Sequence, residues 1–171
     1  MEDVILAGPK HSGKTSSGRV LASLLSCDFI DLDELISQRT GKTPRQLFNE
    51  SPESFKKAEA EAMAALTGSG AGRRVIAAGG GIIDNADAVS ILKKSGAVIV
   101  CLNISADCAW ERISASEELP PFLKTEDPRE THRVLHERRA AAYLQIANIV
   151  IEAEGKTPER IAGEIGEKLG T

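Results

Sequence analysis

The chain has 171 residues, 42% of them hydrophobic, a net charge of −4, and only one Trp, one Tyr and four Phe. That length suits one compact domain spanning residues 1–171, with a single core and little room for a second. The acidic balance and the scarcity of aromatics exclude a nucleic-acid surface, which takes a basic stripe or interleaved aromatics, and the longest clean apolar run, AVIVCLNI, is far shorter than the ~20 residues of a membrane span.

The opening MEDVILAGP is acidic and enters a strand at once, without the basic region of a signal peptide. A soluble, cytoplasmic chain is expected. The apolar run VILA leads into GPKHSGKT, residues 8–15, and then into SSGRVLASLL, a stretch of helical character. The spacing GxxxxGK followed by Ser or Thr, between a strand and a helix, is that of a P-loop. The backbone amides of such a loop and the helix N-terminus offer donors and a positive dipole end to phosphates. Gly8, Ser12, Gly13 and Ser16 are therefore read as nucleotide-binding. Lys14 is placed to reach the β and γ phosphates, and Thr15 to give its hydroxyl to magnesium. His11 stands where a small residue is roomier, and either crowds the loop or adds a donor to phosphate.

A second strand, CDFIDLD, carries Asp31 and Asp33 two apart. Period two puts both carboxylates on one strand face. They are either solvated caps of the next helix or, beside a P-loop, one ligand on the water shell of magnesium and one partner of an acceptor hydroxyl. Ser51 and Pro52 mark a helix start with Phe55, Met63 and Leu66 as its apolar stripe. GSGAGRR at 68–74 reads as a loop. The third strand, RVIAAGG, runs into Gly79, Gly80 and Gly81, which allow close backbone approach to a ligand at the strand end where open α/β sheets bind. It lacks the terminal Asp of an ordinary Walker B, which leaves Asp31 as the magnesium candidate.

After the fourth strand, AVIVCLNI, the stretch SASEELPPFLKTEDP at 114–128 cannot form a long helix, and beside a nucleotide site it makes a mobile lid. His132 and His136 lie four apart on a helix and read as a solvated face rather than a metal pair. The fifth strand, ANIVIEAE, precedes Thr157 and Pro158, a second capped helix start before Ile161, Ile165 and Leu169. Cys27, Cys101 and Cys108 lack metal-like spacing and read as buried free thiols. Strands alternating with helices imply an α/β fold with a parallel sheet covered on both faces.

Taken together, GPKHSGKT, DFIDLDELI, the triplet in VIAAGGG and ERRAAAYLQIANIVI resemble the shikimate kinases, small P-loop kinases of this length, in order over nearly the whole chain. The resemblance implies a three-layer P-loop NTPase-type fold with a five-stranded parallel sheet in the order 2-3-1-4-5. It implies transfer of the γ-phosphoryl group of ATP, with magnesium, to the 3-hydroxyl of shikimate, on the route to chorismate and the aromatic amino acids. In that family Lys14 and Thr15 match the P-loop positions, Asp31 the magnesium aspartate, and Asp33 the aspartate that binds the hydroxyls and is the proposed base. Gly79, Gly80 and Gly81 match the triplet that contacts shikimate, and Arg139, four before Tyr143, matches an arginine that grips its carboxylate. Arg112 falls near an arginine that stacks on adenine, and Pro158 near the residue opposite it.

Two departures concern the acceptor. The family's FRxxE reads Phe55, Lys56, Lys57, Ala58, Glu59, so a second carboxylate-gripping arginine becomes Lys56, paired on one helix face with Glu59. An ammonium is a point charge without the planar fork of a guanidinium. The family's lid motif RPLL reads PPFL at 120–123, which removes an arginine from the transferring phosphate and leaves its charge to Lys14, magnesium, Lys124 or Arg129. The expected partners are ATP and a hydroxylated carboxylic acid, bound by a monomer. The alternatives are a kinase for another polyol or sugar acid such as gluconate, or a nucleotide-binding module that no longer turns over.

Overall fold

The computed structural model describes residues 2–67, 72–115 and 119–170. Five short strands pair in parallel: β1 Val4–Ala7, β2 Asp28–Asp31, β3 Arg74–Ala77, β4 Val98–Asn103 and β5 Ile149–Glu152, in the order β2-β3-β1-β4-β5. This is the order that the resemblance implies. Each strand run is joined to the next through helices, as parallel pairing requires: α1 Lys14–Leu24, α2 Leu32–Thr40, α3 Pro44–Glu50, α4 Pro52–Thr67, α5 Ala86–Lys94, α6 Ala106–Ser114, α7 Pro128–Ile146 and α8 Pro158–Leu169.

Strand β1 is buried along its whole length, and its side chains alternate between two apolar clusters. Ile5 and Ala7 join Leu32, Ile36, Met63, Leu92 and Tyr143, which come from α2, α4, α5 and α7. Val4 and Leu6 join Leu21, Ala109, Ile161 and Ile165, which come from α1, α6 and α8. The result is three layers, with Ile76 of β3 on one side and its neighbour Val75 on the other. Gly18 lets α1 sit close to the sheet, since a Cβ there would lie 2.5 Å from the Phe29 ring.

Caps place the helix starts. Thr43 and Gln46 form a reciprocal capping box before Pro44, Ser51 accepts from the amide of Ser54, and Thr157 accepts from the amide of Arg160, each satisfying orphan amides. Of the loop expected at 68–74, residues 68–71 lie outside the described residues, and Arg74 already belongs to β3, tied by its guanidinium to Asp3 at 2.6 Å. Cys101 is buried, while Cys27 and Cys108 are only half-buried, all three as free thiols. No described helix is long and apolar enough to cross a membrane.

The register sets the functional edge. Leu6 of β1 and Asp31 of β2 both pair with Ala77 of β3, so these three strands end within one residue of each other. The segments leaving their carboxyl ends are the loop 8–13, the start of α2 and the triplet 79–81. They converge on the ligand side of open α/β sheets.

Candidate active site

The loop between β1 and α1 is built by residues with positive φ. Gly8 (φ 132), His11 (φ 63) and Gly13 (φ 92) turn the backbone back on itself, a curvature that directs amides inward toward an anion. Gly8 is obligatory for a second reason, because a Cβ would lie 2.5 Å from the carbonyl oxygen of Leu102. Lys14, the first residue of α1, is buried, and its ammonium donates to the carbonyls of Gly8 at 3.0 Å and Pro9 at 2.7 Å. Burial lowers its pKa to about 8 against the opposing pull of Asp33. Ser12 is buried with its hydroxyl unpartnered, and the guanidinium of Arg112 donates to the carbonyl of His11. Burial, followed by Lys10, Lys14 and Arg112, lowers the pKa of His11.

Asp31 ends β2 and caps α2, its Oδ1 accepting from the amides of Asp33 at 3.0 Å and Glu34 at 3.3 Å. Its Oδ2 accepts from the Thr15 hydroxyl at 2.8 Å. Asp33 therefore stands in the first turn of a helix, not on the strand face that period two predicts. The cap does what the strand was expected to do, because a helix beginning at Leu32 still carries Asp33 over the loop. Partial desolvation and then the Asp31 carboxylate raise the pKa of Asp33 against Lys14 and Lys10.

Two cavities adjoin. The first, of about 500 Å³, is lined by His11, Gly13, Lys14, Thr15, Ser16, Asp31 and Arg112. The second, of about 240 Å³, includes Phe55, Glu59, Gly81, His132, His136 and Arg139. Lys10, Asp33, Gly79 and Gly80 line both. The first has the cations and hydroxyls of a phosphate site, and the second has one guanidinium over an apolar floor.

The second cavity is held rigidly. The Tyr143 hydroxyl donates to the carbonyl of Gly80 at 2.8 Å, fixing the triplet to α7. Arg139 donates from Nε to Asp84 at 2.8 Å, which leaves its terminal nitrogens beside Gly81. Despite its partial burial, Asp84 is held below the usual carboxylate range by the Arg138 and Arg139 guanidiniums. Glu59 is 1% exposed. One oxygen accepts from Asn85 at 2.9 Å and the other has no partner. Desolvation raises its pKa to about 7.

Several candidates fall elsewhere. Lys56 lines neither cavity and instead faces a separate hollow with Glu53, Asp84 and Asp87. Although Glu59 lies three positions on along the same helix, it lines the second cavity and Lys56 does not. Pro158 lines none of these cavities and stands at the first turn of α8. Arg129 is paired with Asp107 at 3.0 Å. His132 and His136 are buried rather than solvated: their rings pack in a row with Trp110, and His136 Nε2 is 2.9 Å from the carbonyl of Ile104. Of the lid at 114–128, residues 116–118 lie outside the described residues, while Pro120 and Phe122 line the second cavity. Lys10, Asp84 and Asn85 carry no motif of their own in the sequence. Only their neighbours, the P-loop and the triplet, signalled them.

A family model described as shikimate kinase matches residues 10–170. The chain belongs to the shikimate kinase family. A shikimate kinase of Thermodesulfovibrio yellowstonii is 36% identical over 96% of this chain and 93% of its own, and one of Shewanella oneidensis is 34% identical over 98% and 96%. Among solved structures, the shikimate kinase of Acinetobacter baumannii in complex with shikimate superposes with a TM-score of 0.88 at 30% identity, covering 99% of this chain and 94% of that one. The shikimate kinase of Aquifex aeolicus gives 0.79 at 30% identity, with 99% of both chains covered.

Proposed function

We propose that this chain transfers the γ-phosphoryl group of ATP to the 3-hydroxyl of shikimate. The observation that carries the reading is the meeting of two cavities at Asp33, one with phosphate-binding chemistry and one with a guanidinium for a carboxylate. The loop amides, Lys14 and Ser12 hold the β and γ phosphates, Ser16 and the α1 N-terminus support them, and Arg112 packs on the base. Arg139 forks the acceptor carboxylate, and the glycine triplet lets the ring approach the backbone. Pro120 and Phe122 cover the acceptor from the second cavity's wall.

The Thr15 hydroxyl and Asp31 carboxylate, 2.8 Å apart on the phosphate side, are hard oxygen donors. They suit a magnesium ion that completes its shell with water and phosphate oxygens. When bound, magnesium neutralises phosphate charge. Asp33 takes the proton of the acceptor hydroxyl, whose oxygen forms the new bond to phosphorus as the bond to the bridging oxygen breaks and ADP leaves. Desolvation, followed by the Asp31 carboxylate, raises the pKa of Asp33, which makes it a stronger base. Both halves of the site come from one chain, which acts as a monomer in the cytoplasm.

The test is magnesium-dependent ADP release with shikimate, with gluconate and with no acceptor, using Lys14→Ala as the blank. Release that requires shikimate is expected. Asp33→Asn should lower kcat by about 10²- to 10⁴-fold, the ordinary worth of a positioned base, with ATP affinity kept within about threefold. Release with gluconate alone, or loss of ATP binding in Asp33→Asn, would overturn the reading of the acceptor or of the base.

A further inference from the structure

The phosphoryl group must cross from the first cavity to the second, and four residues line both: Lys10, Asp33, Gly79 and Gly80. Asp33 brings a negative charge to that seam, and the two glycines bring only backbone. Lys10 is the single cation among the four. The other cations of the two cavities are already engaged. Lys14 donates to the carbonyls of Gly8 and Pro9, Arg112 to the carbonyl of His11, and Arg139 to Asp84. Lys10 is exposed, with no hydrogen bond or ion pair among the described residues.

The backbone of Lys10 is nevertheless fixed. A Cβ on Gly80 would lie 2.8 Å from its nitrogen and 3.0 Å from its Cα. The donor loop and the acceptor triplet thus pack against each other at this residue, and the side chain starts from the junction itself. The stretch of lid beside the second cavity brings Pro120 and Phe122, neither of which carries a charge.

We propose that Lys10 supplies the positive charge that meets the transferring phosphoryl group between donor and acceptor, a role that rests on the phosphoryl transfer proposed above. Charge spreads over the three equatorial oxygens during transfer, and a cation at the seam meets it while no other group of the seam can. A flexible ammonium is worth less than a preorganised donor, whose loss costs about 10²- to 10³-fold.

The test compares wild type, Lys10→Met and Lys10→Arg in steady-state ADP release with shikimate across pH. Lys10→Met is expected to lower kcat roughly 10- to 100-fold, with both KM values within about threefold, and Lys10→Arg to recover most of the rate. The loss should persist across the whole pH range, and a Lys10→Met rate that returns to the wild-type value at high pH would overturn the proposal. An unchanged kcat, or a loss confined to KM, would overturn it as well. A wild-type chain that releases no ADP with shikimate would bring down both this proposal and the function beneath it, an outcome distinct from those seen in the variant alone.

Discussion

Glu59 sits in the wall of the acceptor cavity at a cost that can be measured. Desolvation, only partly offset by the hydrogen bond from Asn85, raises its pKa from an ordinary 4.5 to about 7. The folded protein therefore holds a proton that the unfolded chain has released, and stability falls as pH rises from the unfolded value through the folded one. At about 1.4 kcal/mol per pH unit, the loss amounts to about 3 kcal/mol, of which about 2 to 3 falls between pH 5 and pH 8. Glu59→Gln removes the titration and keeps the shape. Its amide can still accept from Asn85 and can donate toward Asp33, whose Oδ1 flanks the same Gly79 Cβ position as the unpartnered Glu59 oxygen. Urea unfolding of both proteins at pH 5, 6, 7 and 8 reads the group by difference, because titrating residues not coupled to Glu59 cancel. The variant should gain on the wild type with pH by the stated amount and then level off above pH 7 to 8. A difference that stays flat within about 0.5 kcal/mol over this range would refute the argument from burial.

Three substitutions probe the packing and the acceptor assignment. Gly80→Ala places a Cβ against the Lys10 backbone, which cannot rotate away; a stability loss of about 1 to 3 kcal/mol and a raised KM for ATP are expected in urea unfolding and kinetics. Gly163→Ala, inside α8 with open space around its Cβ position, should instead stabilise by about 0.5 to 1 kcal/mol. Lys56→Arg should leave the KM for shikimate within about twofold, since Lys56 lines a separate hollow; a clear tightening would put it back in the acceptor site.

The five strands and the P-loop were legible because their signals are local. Each strand is a short apolar run bounded by polar or glycine-rich sequence, and the loop needs only its own eight residues. Longer-range facts were less so. Asp31 ends its strand, but Asp33 reaches the loop through a helix cap rather than through strand periodicity. Capping competes with strand continuation through side-chain to amide bonds two and three residues on, and DFIDLDEL permits both.

The histidines fail for a different reason, and it bears on the acceptor side as a whole. On α7 alone, His132 and His136 share a face with Arg139 and with no apolar stripe to mark it as buried. They are covered by Trp110 of α6 and capped by the carbonyl of Ile104, just past the end of β4, contacts set by the tertiary fold and not by the helix. Burial lowers the pKa of His132, with His136 and Arg139 acting in the same direction. Positive charge in this wall is thus disfavoured at His132 and concentrated at Arg139, which Asp84 orients. The phosphate side can be read from one loop, but the acceptor side is assembled from α2, α4, the triplet and α7. A single exchange such as Arg to Lys at position 56 therefore says little about the acceptor until the fold shows which hollow the side chain enters.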